Sequence, residues 1–400
     1  MTRATTPTPE DVQDARAFLH GVRASIETDT HAAPFETTES QLNSVLTLGA
    51  RFIPGFRGRI EVVADVVIGT VSVPVPGTGQ STWLNLFVTA PAFEGQFAFS
   101  HVAVGSLSLP PGGALNLARI GANMAFGTRL GDTVLSSATA MRIQEDMVSF
   151  DLAIDEIGKN GVMRGVFGTL RGSELPDTQD IDRYYVLIRD AMEDGILPTE
   201  GSYLPYLQFT LAAALEGSAT EGIPNAYTSA IFALTRICGA RDFTMVVGGL
   251  AGGAALTDKG WRTDCKDLTL NERIDSRRHF TTAAALQAAS NRGFAVSVGE
   301  FKELYDSLNA EKGGFDFTDL AANNSGIRMS NRLMAVPAED WLGLMSRITE
   351  ENNVIVTFDD IPQLMSRDTF QEKYGDVDSP EYQAKLALIE TRIDALTLHR

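Results

Sequence analysis

Asp275 to Gly326 reads DSRRHFTTAAALQAASNRGFAVSVGEFKELYDSLNAEKGGFDFTDLAANNSG, and its charged residues are embedded among Ala, Val, Phe and Leu. Charged side chains ordinarily sit on solvated faces, because burying an unpaired charge is costly. Asp275 and His279 are four apart, which puts both on one face of a helix. Glu300, Glu303 and Asp306 share a stripe of a second helix, with Lys302 beside it. Asp319 and Asn323 repeat the four-residue spacing on a third. The pattern predicts three short helices whose polar groups converge on one centre.

Around this stretch the C-terminal half reads as helical throughout. The periodicity predicts helices over Asp180–Asp194, Pro205–Glu216, Asn225–Ala240, Ser276–Ala289, Ala295–Leu308, Phe317–Asn324, Ala338–Asn352 and Ser379–Leu396. Pro and Gly punctuate the gaps, and Pro176–Asp180 offers a domain boundary. Upstream the pattern differs. An amphipathic helix spans Pro9–Ile26, and Thr37 or Thr38 caps a second in TTESQLNSVLTLGARF. From Arg59 the period becomes two. GRIEVVADVVIGTVSVPVP reads as a long strand broken near Gly69, followed by STWLNLFVTAPAF and EGQFAFSHVAVGSLSLP. TVLSSATAMRIQEDMVSFDLAID gives two more strands around Gln144–Asp146, and the sheet ends near Ile157. His101 falls on a strand and reads as a half-exposed sheet residue. The expected fold is α+β: residues 1–175 form a helix-led domain with a curved antiparallel sheet and one or two helices, and residues 176–400 form an all-α domain carrying the polar cluster.

Composition narrows the partners. A formal net charge of −18 argues against nucleic acid, which requires clustered Lys and Arg, and against electrostatic docking on anionic lipid. No stretch reaches the roughly 18 apolar residues of a spanning helix, and the N-terminus lacks the basic and apolar regions of a signal peptide. Membrane contact is therefore expected only through an anchor outside this chain. Cys238 and Cys265 flank the glycine-rich VVGGLAGGAAL; a disulfide between them implies an oxidising compartment, and two buried thiols are the alternative.

No phosphate-binding, metalloprotease or nucleophile-elbow motif is present, and no cofactor is expected. Two explanations compete for the polar cluster. In the structural one, Asp275 with Arg278, Lys302 with Asp306 and Asp319 with Asn323 form pairs and caps, with Asp275 as a helix N-cap and Asp319 in the first turn of its own helix. In the catalytic one, Glu303 amid Phe301, Leu304 and Tyr305 is an acid with a raised pKa, Asp306 or Asp319 is the second carboxylate, and His279 relays a proton. A metal would draw on His279, Glu303, Asp306 and Asp319, but nothing in the spacing demands one.

The order Asp275, His279, Phe280, then Gly299, Lys302, Glu303, Asp306, then Phe317, Asp319, Leu320, Ala322, Asn323 and Gly326 resembles the YfiM-type lipoproteins and, more distantly, VanZ-like proteins. Ser276 and Lys312 depart from the YfiM pattern. The N-terminal part, with ESQLNSVL leading into strands and then VGSLSLPPG, is similar to YpmS-like ectodomains. These resemblances imply a shared local site and a bacterial envelope setting, periplasmic or membrane-anchored rather than cytoplasmic. The expected function is acid/base hydrolysis of cell-wall glycan at Glu303, Asp306, Asp319 and His279, with Asp275, Lys302, Glu300 and Asn323 as further polar-site residues. The alternative is a non-enzymatic lipid-binding or scaffolding module.

Overall fold

The computed structural model describes residues 6–27, 34–52, 55–75, 82–95, 97–110, 137–153, 170–240, 265–308 and 314–400, with 112, 113, 115, 116, 164, 167, 168, 243 and 247. The chain divides into two compact units, Met1–Val166 and Phe167–Arg400. The first is sheet-rich and the second helical. The expected sheet end near Ile157 and most of VVGGLAGGAAL lie outside the described residues.

In the first unit, α1 (Pro9–Glu27) and β1 (Phe35–Thr38) precede α2 (Glu39–Phe52). Thr38 caps α2 reciprocally with Gln41. Its hydroxyl accepts from the Gln41 N–H at 3.2 Å, and the Gln41 amide oxygen accepts from the Thr38 N–H at 3.2 Å. The strands β2 (Arg57–Val63), β3 (Val66–Pro74), β4 (Trp83–Pro91), β6 (His101–Val104) and β7 (Leu107–Leu109) pair antiparallel in that order into a five-stranded sheet. A second, four-stranded sheet runs in the order β1, β9 (Met147–Leu152), β8 (Ala138–Gln144), β5 (Phe93–Glu94). The single curved sheet expected from the sequence is thus two sheets, because the chain passes between the ladders more than once, leaving the five-stranded one after Pro91 for Phe93 and returning to it at His101.

Two turns also fall elsewhere than the sequence suggests. The expected break near Gly69 comes at Ala64 and Asp65, where Ala64 adopts φ 50° and Val63 pairs with Val66. Gly69 lies mid-strand, and a Cβ there would approach Val88 Cγ2 to 2.8 Å. The stretch expected as a third strand is a hairpin of β6 and β7 turning at Gly105, with φ 59°. His101 is exposed at the start of β6.

Residues directly opposite each other in a ladder share a face, so the register assembles one wholly apolar face of the five-stranded sheet. Its rows are Val62, Val67 and Ala90; then Ile60, Gly69, Val88, Val102 and Leu109; then Gly58, Val71, Leu86, Val104 and Leu107; then Val73 and Leu84. The first row packs into a core with Leu42, Met141, Val148 and Phe150. The last rows are half-buried, with Gly58 against Leu46 of α2, and reach solvent at Leu84, 47% exposed, and Leu107, 63% exposed.

In the second unit, α3 (Thr178–Glu193) is capped by Asp177, whose carboxylate accepts from the Gln179 N–H at 3.1 Å. The helices α4 (Leu204–Glu221) and α5 (Ile223–Cys238) join at Gly222, with φ 74°. α5 is buried over nearly its whole length, including Thr228, Ser229, Thr235 and Arg236, whose guanidinium pairs with Asp182. The helices α6 (Ile274–Ala289), α7 (Arg292–Ser307) and α8 (Phe317–Ala335) form the stretch quoted first. α9 (Ala338–Met345), α10 (Arg367–Tyr374) and α11 (Pro380–Asp394) follow. The unit is not helical throughout: β10 (Glu200–Ser202) and β11 (Asp267–Thr269) form a short parallel pair too brief for any period to show. Cys238 and Cys265 are joined in a disulfide with 5.2 Å between their Cα atoms.

Small residues let α6 and α8 touch. Gly326 faces α6 so closely that a Cβ there would lie 2.2 Å from the Phe280 carbonyl oxygen. This contact fixes the register of α8 against α6, bringing Asp319 and Asn323 opposite His279.

Candidate functional site

Each of the three helices presents its polar groups from a defined terminus. α6 begins after Arg273 in extended backbone, so the N-cap is Arg273 and not Asp275, which lies in the first turn. α7 is capped by Asn291, whose side chain accepts from the Phe294 N–H at 3.0 Å. α8 is capped by Asp316, which accepts from the Thr318 N–H at 2.7 Å, with Asp319 in its first turn.

Lys302 Nζ occupies the meeting point of the three helices. It lies 2.9 Å from Glu303 Oε1, 2.9 Å from Asp306 Oδ2, 3.2 Å from Asp319 Oδ2 and 2.9 Å from His279 Nε2. An ammonium has three protons, so four acceptors compete for them. His279 Nε2 is also 2.9 Å from Asp319 Oδ2, and Nδ1 is 3.1 Å from Asn323 Oδ1. With Nδ1–H donating to Asn323, a neutral His279 accepts from Lys302 at Nε2, whereas an imidazolium donates to Asp319 instead. Glu303 is 0% exposed, and its second oxygen accepts the Asp316 N–H at 3.1 Å.

A second cation supports the rim. Arg273 grips Asp275 with two bonds, Nε to Oδ1 at 2.9 Å and Nη2 to Oδ2 at 2.6 Å, and also reaches Asp316 at 3.3 Å and Asp319 at 3.5 Å. Asp275 therefore pairs with Arg273, not with Arg278 as the sequence suggested. Asn323 pairs with His279 and not with Asp319.

Burial and charge pull the ionisations apart. Burial pushes the Glu303 carboxyl up to about 7, against the pull of Lys302. Burial also acts to raise Asp319, but the His279 imidazole and the Lys302 ammonium outweigh it and hold Asp319 well below the usual range. Burial disfavours charge on His279 and Lys302, and in each case the neighbouring carboxylates prevail and raise the pKa. Asp275 is lowered because the bonds from Arg273 overcome its burial.

Of the residues singled out from the sequence, His279, Lys302, Glu303, Asp306, Asp319 and Asn323 come together, with Asp275 on the rim. Glu300 does not join them. It is buried and accepts from the Tyr382 hydroxyl of α11 at 3.1 Å. Residues three apart on a helix point about 60° apart, enough for Glu300 and Glu303 to face different neighbours. Sequence reasoning missed Arg273 and Asp316. Arg273 sits outside the helical period, but Asp316 carried a signal, an Asp directly before the apolar start of a helix.

Compared with known proteins, the chain matches no family model, no curated protein and no solved structure. Among the described residues, no helix is long and apolar enough to cross a membrane.

Proposed function

We propose that the protein is an extracytoplasmic component of a bacterial envelope that holds a lipid by its hydrocarbon on the apolar face of the five-stranded sheet, while the charged cluster holds the helical unit together. The observation that carries this reading is that face: its apolar rows begin in a packed core and run out to Leu84 and Leu107 in solvent. Apolar surface of this kind marks ligand or partner sites. Localisation rests on the Cys238–Cys265 disulfide, which persists in oxidising compartments, and on the resemblance to envelope proteins. The chain's negative charge favours a neutral or zwitterionic lipid over an anionic one.

The cluster itself favours holding over turnover. Both Glu303 oxygens are engaged by the protein, and no surface of that side chain is open to a substrate. A second reading, acid/base hydrolysis of cell-wall glycan, draws support from one feature: two carboxylates in one cluster, Glu303 pushed up to about 7 and Asp319 held low.

Binding of a zwitterionic phosphatidylcholine with a fluorescent acyl chain, measured on wild type and on Leu84→Glu with Leu107→Glu, tests the first reading. Both positions are exposed, so the variant keeps its fold and loses the probe. Equal binding by both proteins rejects the sheet face. Release of soluble fragments from purified peptidoglycan, abolished by Glu303→Gln at unchanged melting temperature, would establish the hydrolytic reading instead.

A further inference from the structure

We propose that His279, Glu303 and Asp319 form a binding site for a divalent transition-metal ion, Zn2+ or Mn2+, at the position where the Lys302 ammonium stands. The geometry carries the inference. One ligand atom from each residue lies within 4.8 Å of the other two, and the three come from three different helices. Their shared focus is already a cation position, since Lys302 Nζ sits 2.9 Å from His279 Nε2, 2.9 Å from Glu303 Oε1 and 3.2 Å from Asp319 Oδ2. Zinc–nitrogen and zinc–oxygen distances of about 2.0–2.2 Å ask each atom to move inward by about 1 Å, a side-chain rotation rather than a helix shift. The donor set, one imidazole with carboxylates, suits Zn2+ or Mn2+ better than a soft metal.

Two further observations point to a ligand. Among the described residues, Asp319 Oδ1, on a side chain more than nine-tenths buried, accepts no hydrogen bond, and Arg273 Nη2 lies 3.5 Å from it. Among the described residues, the carboxylates of Asp275, Glu303, Asp306, Asp316 and Asp319 pair with two permanent cations, Arg273 and Lys302. A divalent ion at the focus supplies the missing positive charge. Lys302 has a way out, because its side chain is 34% exposed and Asp306, one turn on and already 2.9 Å from Nζ, is more exposed than Glu303 or Asp319. Three protein ligands then leave one coordination position for water.

The test uses the untagged full chain, stripped with a chelator and dialysed. Isothermal titration with ZnCl2 and with MnCl2, alongside elemental analysis after gel filtration, is expected to give one ion per chain and a higher melting temperature. Lys302→Met, which removes the competing ammonium, is expected to bind about tenfold more tightly or better. A gain of affinity cannot come from misfolding. Asp319→Asn is expected to abolish binding. The proposal is overturned if wild type retains no ion, even where Lys302→Met does, since the cage then belongs to the lysine alone. It is equally overturned if Lys302→Met and wild type bind alike, which would place the ion elsewhere.

Discussion

Replacing Glu303 by Gln removes a titrating group from the interior while keeping its shape, and the consequence depends on pH. Glu303 ionises at about 7 in the folded chain against 4.5 ordinarily. A carboxyl whose folded pKa is raised contributes stability that is complete below the unfolded value and is lost as pH rises through the folded one. At about 1.4 kcal/mol per unit, this separation makes wild type about 3 kcal/mol less stable above pH 7 than below pH 4.5. For a unit the size of residues 167–400, that is about 6–12 °C in melting temperature. His279, also raised, adds loss in the same direction as pH climbs past its ordinary 6.5. Asp319 acts oppositely: its stabilisation is present above 3.8 and is lost as pH falls below it. Wild type should therefore melt highest at about pH 4–5. Melting curves of wild type and Glu303→Gln across pH 4–8 should diverge, with the variant losing much less between 4.5 and 7. Parallel curves would refute the assignment of a raised pKa to Glu303.

Further outcomes follow from the same geometry. Lys302→Met leaves Glu303 and Asp319 without their central cation and should cost about 3–5 kcal/mol in urea unfolding at pH 7; a loss under about 1 kcal/mol would show that Arg273 and His279 suffice. Gly326→Ala places a Cβ against the Phe280 carbonyl and should cost about 1–3 kcal/mol or more by forcing α6 from α8; a wild-type melting temperature would show that the two helices are not held so closely. Replacing Cys238 and Cys265 together by Ser opens a loop whose closure is worth about 3–4 kcal/mol. Thiol titration of the denatured, unreduced protein should find none, and two titratable thiols would remove the argument for an oxidising compartment.

The three-helix cluster was legible because helical period and polar spacing coincide. His279, Lys302, Glu303 and Asp319 stand where their spacing puts them, on the faces that α6, α7 and α8 turn toward one another. What escaped was mostly set by partners remote in sequence. Glu300 shares the stripe of Glu303, yet Tyr382, eighty-two residues on, decides its direction. Phe317–Asn324 looked like a complete helix because NNSGIRMSNR is polar, but Ser325 and Ser330 are fully buried, and α8 runs on to Ala335. In the sheet unit the apolar pattern runs on through Ala64 and Asp65, so that Asp65, a turn former, carries less weight there than Gly69. There the glycine serves a close cross-strand approach to Val88. The two-sheet arrangement follows from repeated changes of partner, β1, β5, β8 and β9 pairing in one sheet and β2, β3, β4, β6 and β7 in the other, which local sequence does not encode.

The lipid reading meets its most direct test in the protein as purified from a bacterial host. Organic extraction followed by mass spectrometry of wild type, and of Leu84→Glu with Leu107→Glu, asks whether hydrocarbon travels with the sheet face. The account predicts a lipid in near-stoichiometric amount from wild type and a large depletion in the variant. Wild-type protein that carries no lipid, or a variant that carries as much, would contradict it.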